Sequence, residues 1–320
     1  MDLFRSVRTV TRASGSGHVD WAAVAEAAKA STAPGGLDLS DADRSGYADD
    51  VRDARERLQS LGDVTFDLPE TVEIQNRHHW IDANVETFRR VMVPVEAGTG
   101  TPLFPEFSRV VNTGTLSLLL AFLGRHVLGQ YDPLLLAEAD PADRDHGLYF
   151  VHPNIVEVAE TLDVSVPRFR RWIAFHEVSH AAEFGAAPWL STYLEERLER
   201  GLDALAAGGV DRDAFADLDT AMTAVEGYAE LLMDRAFDDD YADLRAKLDA
   251  RRGGGGPMSR LARRLLGLGL KRRQYERGAA FFRAVADERG LAGASVVWDR
   301  PSNLPTDAEL DEPDLWLARV

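Results

Sequence analysis

The chain has 320 residues, 45% of them hydrophobic, a formal net charge of −17 and no cysteine. That length and apolar content exclude a disordered chain and allow a substantial core, as one large domain or two intimate subdomains. The acidity argues against a nucleic-acid partner, and the missing thiols exclude disulfides and leave any zinc to nitrogen and oxygen donors.

Taken in order, Met1 to Arg12 lacks the apolar region of a signal peptide, and residues 1–16 read as a loose arm. An alanine-rich helix is expected around Val19 to Lys29 and a turn at Pro34-Gly35-Gly36. A charged helix follows over Ser40 to Leu61, capped by Ser40 or Asp41, with the solvated face that mixed charges imply. Thr71 to Val93 reads as a longer helix. The neighbouring His78 and His79 point about 100° apart on it and cannot share one ion, so Trp80 and its neighbours read as packing. Ser108 to Leu123 is an apolar helix ended by Gly124 or Gly129. Its longest apolar run, Leu116 to Leu123, is too short to span a bilayer.

Two strands, around His126 to Tyr131 and Gly147 to His152, are expected to pair antiparallel, an edge on which an extended peptide would rest. Helices then cover Asn154 to Leu162, Ser191 to Ala207, Ala214 to Phe237, Ser259 to Leu266 and Lys271 to Glu288, with a surface loop at Arg252 to Pro257. The proline-punctuated tail from Trp298 to Trp316 is expected to lie along the surface. Lysine occurs only at 29, 247 and 271. An acidic, lysine-poor surface suits high salt, where screening removes most self-repulsion. A cytoplasmic protein with no membrane partner is expected, its oligomeric state unspecified.

Between Asn154 and Ser191 lies the most informative stretch, Arg170 to His180, which contains H-E-x-x-H. Ser165 and Pro167 start a helix there, and Gly185 and Pro188 stop it. His176 and His180, one turn apart on its face, can share a zinc ion, and Glu177, one step round, can act as general base on a water at that ion. This chain's own composition predicts roughly 0.01 such matches by chance. Phe169, Trp172, Ile173 and Phe184 fall on the stripe of the two histidines, which are therefore buried and need partners.

A catalytic zinc wants three protein ligands and an open position. The metzincin continuation fails, because Glu183 and Ala186 stand where it needs Gly and His. Downstream, Glu226, Glu230 and Asp234 recur every four residues on an apolar helix, and a cation held by the facing histidines would compensate such buried carboxylates. Glu226 is assigned as third ligand, with Glu230 and Asp234 behind it; Glu230 would orient a ligating imidazole by taking its other N–H. Gly227 would let the two helices approach closely. Glu183 is the competing ligand. Tyr228, Tyr275 and Arg272 are candidates to stabilise an oxyanion.

The stretches Arg77 to Asn84, Val127-Leu128-Gly129-Gln130-Tyr131-Asp132-Pro133, Val151 to Ile155, Trp172 to Leu190, Glu226 to Asp234, Gln274-Tyr275 and Leu304-Pro305-Thr306 together resemble the zincin-like metallopeptidases, type 2. Some members of that family are associated with biosynthesis of the deazaflavin coenzyme. The resemblance implies a predominantly helical α+β fold with a small sheet beside the active-site helix. It implies one unit over 1–320, with an N-terminal helical region over 1–115 and a zinc-binding region over 116–320. It supports His176, His180 and Glu226 as zinc ligands and Glu177 as base, and it departs at Glu183, where the pattern usually has Gln.

The function expected is a zinc-dependent hydrolase acting on a peptide or small amide. Its competitors are a small-molecule hydrolase of coenzyme metabolism and an inactive zinc-stabilised scaffold, for which Glu177 beside an open position would have no use.

Overall fold

In a computed structural model, residues 2–15, 17–61, 66, 71–98, 105–132, 147–237, 241–253 and 268–320 are described. The elements are α1 (Leu3–Thr11), α2 (Trp21–Ala30), α3 (Asp41–Ser60), β1 (Thr71–Gln75), α4 (Arg77–Gly98), α5 (Pro105–Gly124), β2 (Gly129–Asp132) and β3 (Gly147–Val151). They continue with α6 (His152–Leu162), α7 (Val166–Ala186), α8 (Leu190–Ala206), α9 (Arg212–Ala236), α10 (Ala242–Gly253), α11 (Leu268–Ser295), α12 (Asp307–Asp311) and α13 (Pro313–Arg319). The chain is predominantly helical around a three-stranded mixed sheet of order β1-β3-β2. The expected hairpin is present, with β2 antiparallel to β3.

The third strand corrects the reading of Thr71 to Gln75 as helix. Thr-Val-Glu-Ile-Gln alternates with β-branched residues, and β1 pairs parallel to β3 from Thr71↔Gly147 to Gln75↔Val151. Helix begins only after Asn76, whose side chain accepts the His79 backbone N–H at 2.9 Å. His78 Nε2 meets the Thr32 carbonyl at 2.7 Å and Trp80 is buried, as the packing reading expects.

Helix α7 runs through the main core. Trp172, Ile173, Ala174, Phe175, Val178, Ala181 and Ala182 are all buried, which takes in more of its circumference than the single expected stripe. Helices α3, α6 and α9 and strand β2 surround it. Its first turns are tied to α3 by charge, Arg170 to Asp50 and Arg171 to Asp53, both at 2.6 Å. The other face of α3 is not all solvated, since Tyr47, Val51, Ala54 and Leu58 are buried on this side. A second cluster joins α2, α4 and α5 through Val24, Trp80, Ile81 and Leu120.

Two terminal segments differ from expectation. The N-terminal arm is helix α1, capped by Asp2 and held on α2 by an Arg5–Glu26 ion pair at 2.9 Å. The C-terminal tail is not a surface strap, for Trp298 (1% exposed) and Trp316 (0%) lie in the main core. Trp316 Nε1 donates to the Asn303 carbonyl at 2.7 Å, and a capping box of Thr306 and Glu309 starts α12. Two indoles have too much apolar area to leave in water, and burial of the rings holds even though, unlike that of Trp316, the Trp298 Nε1 is buried without a hydrogen-bond partner. Helix α5 is, among the described residues, long and apolar enough by length and composition to cross a membrane; its inner side packs on α2 and α4. The expected glycine-rich loop after Gly253 and the helix over Ser259 to Leu266 lie outside the described residues.

Candidate metal centre

Helix α7 starts after Ser165 with Pro167 in its first turn and ends at Ala186, so its middle presents His176 and His180 on one side. Helix α9, capped by Asp211, crosses that side and delivers Glu226. Glu226 Oε2 stands 3.9 Å from His176 Nε2 and 3.8 Å from His180 Nε2, and one donor atom from each of the three residues lies within 4.8 Å of the others. Donors about 2.0–2.1 Å from a tetrahedral ion stand about 3.3 Å apart, so the two carboxylate–imidazole distances exceed that spacing by about half an ångström. Two imidazoles and a carboxylate are also the donor chemistry zinc takes where thiolates are lacking.

Glu183, set aside in the sequence as a competing ligand, occupies a different place. It is fully buried and accepts from His180 Nδ1 at 2.8 Å. This contact fixes the His180 tautomer and turns Nε2 towards Glu226, the orienting role that had been expected of Glu230. Glu230 and Asp234 instead pair with Arg245 of α10, and Asp234 also with Arg283 of α11 at 2.8 Å. Both are held by arginine because their turns of α9 face α10 and α11, away from the histidines. Gly227 likewise serves a different approach from the one expected: a Cβ there would stand 2.3 Å from the Gly278 carbonyl carbon, so it brings α9 against α11.

Glu177 points to the sheet. One oxygen accepts the Tyr131 backbone N–H at 2.9 Å, and Gly129 lies against the other. Of the candidate oxyanion donors, Tyr228 is buried with its hydroxyl on Ser295 Oγ at 2.7 Å, and the side chains of Tyr275 and Arg272 fall outside the described ones. The roles of Glu183 and of the β2 backbone were missed in the sequence. The i,i+3 spacing of His180 and Glu183 was the available signal for the first.

Electrostatics follow this placement. Burial alone would lower the His180 pKa, but the hydrogen bond and charge of Glu183, with Glu226 and Glu177, overturn that and push it up to about 9. Burial raises Glu183 to about 7 against the pull of His180. With both folded values above their ordinary ones, the metal-free pair contributes stability at low pH that is lost as pH rises. For His180 the loss runs from 6.5 through about 9. The urea midpoint of metal-free protein is therefore expected to fall across that window. Glu183→Gln should flatten the fall and weaken zinc binding about 10–100-fold. A slope unchanged by the substitution would refute the pairing.

Fold and site together define a helix-rich α+β protein with a His-His-Glu group, the glutamate buried and the two histidines partly so, that could hold a metal ion. Its family model is that of the zincin-like metallopeptidases, matching residues 19–212 and 205–317, and the chain belongs to that family. Among solved structures, it is similar to a protein from Chloroflexus aurantiacus provisionally described as a hydrolase with a novel fold. The TM-score is 0.72 at 29% identity, covering 100% of this chain and 98% of that one. No curated protein matches the sequence.

Proposed function

We propose that the protein is a zinc-dependent hydrolase cleaving an amide bond in a peptide or small molecule. The observation that supports this most is the convergence of His176, His180 and Glu226 from two helices, with His180 held from behind by Glu183. Zinc held by these three residues would supply a water of pKa lowered towards about 7 and a polarising charge for the carbonyl.

Glu177 does the proton work. Fixed in place, its carboxylate takes the proton of the attacking water and then hands it to the leaving nitrogen, so that the amine departs neutral. As a ligand His180 would be a neutral imidazole with Nδ1–H on Glu183, and the shared N–H keeps its ring from rotating. Because the histidine must shed a proton from Nε2 to act as ligand, metal uptake should weaken as pH falls. The burial of Glu177 and Glu226 keeps bulk water from competing for the proton or the ligand positions.

Metal analysis of the purified protein tests this reading. About one zinc per chain is expected, with a site of this donor set. Protein that takes up no metal after zinc is supplied would overturn the assignment. Zinc uptake without hydrolysis of any amide, in a screen against Glu177→Gln, would favour a zinc-stabilised scaffold linked to coenzyme metabolism.

A further inference from the structure

We propose that Gly129 and the backbone amide of Tyr131 form a seat in β2 that positions Glu177; the inference deepens, and rests on, the hydrolase reading above. The Tyr131 N–H points away from β3 towards α7 and donates to Glu177 Oε2 at 2.9 Å. A Cβ at Gly129 would stand 2.6 Å from Glu177 Oε1, 2.7 Å from its Cγ and 2.8 Å from its Cδ. The strand thus holds one oxygen by a hydrogen bond and lies flat against the rest of the side chain. Only glycine leaves room for that approach.

The seat itself is fixed from the other side. The Val151 N–H donates to the Leu128 carbonyl at 2.9 Å, Trp80 Nε1 donates to Gln130 Oε1 at 2.8 Å, and Asn154 Nδ2 donates to the Val127 carbonyl at 2.6 Å. The Tyr131 ring packs on Phe184 of α7, centroids 5.4 Å apart. With the strand clamped and the glutamate a flexible side chain, a methyl group at position 129 displaces Glu177 rather than β2. The seat gives a structural place to Gly129, Gln130 and Tyr131, the middle of one of the stretches that carry the family resemblance. It further means that the outer edge of β2 is engaged by α7 at Tyr131, where a substrate strand had been expected to rest.

Cobalt-loaded full-length protein and acetohydroxamic acid give a readout that needs no substrate. The hydroxamate chelates the metal through its two oxygens and gives up its hydroxyl proton to an adjacent carboxylate, so its affinity, read from the visible spectrum, reports where Glu177 is. Gly129→Ala is expected to keep cobalt stoichiometry and to weaken the hydroxamate about tenfold, as Glu177→Gln does, on the scale of one hydrogen bond to a charged group. Tyr131→Pro removes the amide that faces α7 together with the ring packed on Phe184. Its control is Tyr131→Ala, which removes the ring, keeps the amide and should bind the hydroxamate as wild type does. The proline is tolerated on a strand edge and should act in the same direction as Gly129→Ala, which keeps the test alive if Gly129→Ala does not fold. Wild-type affinity in Gly129→Ala or in Tyr131→Pro, with the loss confined to Glu177→Gln, overturns the seat and leaves the metal reading intact. Wild-type affinity in all three variants removes Glu177 from the metal's open side and overturns both. Wild-type protein that binds no cobalt overturns the metal reading first.

Discussion

Glu177→Gln is expected to keep its zinc and to lower turnover of any amide substrate by about 10²–10⁴-fold, the usual contribution of a general base. The substitution preserves shape. Its amide oxygen can still accept the Tyr131 N–H that Glu177 accepts at 2.9 Å, so the side chain stays on β2 and the fold is not disturbed. What is lost is the ability to take a proton. The effect should therefore fall on kcat with little change in KM. Parallel measurement of metal content and steady-state rates checks it. Equal rates for wild type and variant, at equal zinc, would remove Glu177 from the chemistry.

Loss of a histidine should act differently at the two positions. A structural zinc site binds with about 10–16 kcal/mol from its donors together, so deleting one protein ligand is worth on the order of 3–4 kcal/mol, a fall of about 10²–10³ in affinity. His176→Ala and Glu226→Ala are expected to show that fall. His180→Ala should lose the metal and the fold together, because it leaves Glu183, fully buried, without the imidazole that its carboxylate accepts from at 2.8 Å. Removing one partner of such a buried pair costs about 3–5 kcal/mol, unless the carboxyl takes up a proton. Chemical denaturation in the presence of a chelator separates the two losses. A His180→Ala protein as stable as His176→Ala under those conditions would show that Glu183 does not depend on His180.

Much of this site was legible without coordinates because its first half is local. The spacing of His176 and His180 needs only the pitch of a helix, and Ser165, Pro167 and Gly185 bound that helix by backbone chemistry that acts within one turn. Glu226 was also within reach, since carboxylates at four-residue spacing on an apolar helix demand a cation wherever that helix is buried. The hairpin of β2 and β3 followed from two apolar stretches and a polar break. Absence of cysteine limited the donors to nitrogen and oxygen before any geometry was known.

Partner choice was not legible. Glu183 had a local signal in its i,i+3 spacing from His180, but nothing in the spacing of Glu230 and Asp234 says that they meet arginines and not a histidine. That depends on the rotation of α7 and α9 about their axes, set by packing against α3, α8 and α11. The same holds for Thr71 to Gln75, whose strand exists because β3 offers it a parallel partner from a distant part of the chain. Trp298 and Trp316 read as surface residues because prolines and acids surround them, yet long-range burial of their rings outweighs that local pattern. The backbone of Gly129 and Tyr131 has no side-chain signature at all. An amide that seats a carboxylate becomes visible only once sheet and helix are packed together, for the interaction belongs to their relative placement and not to either residue type.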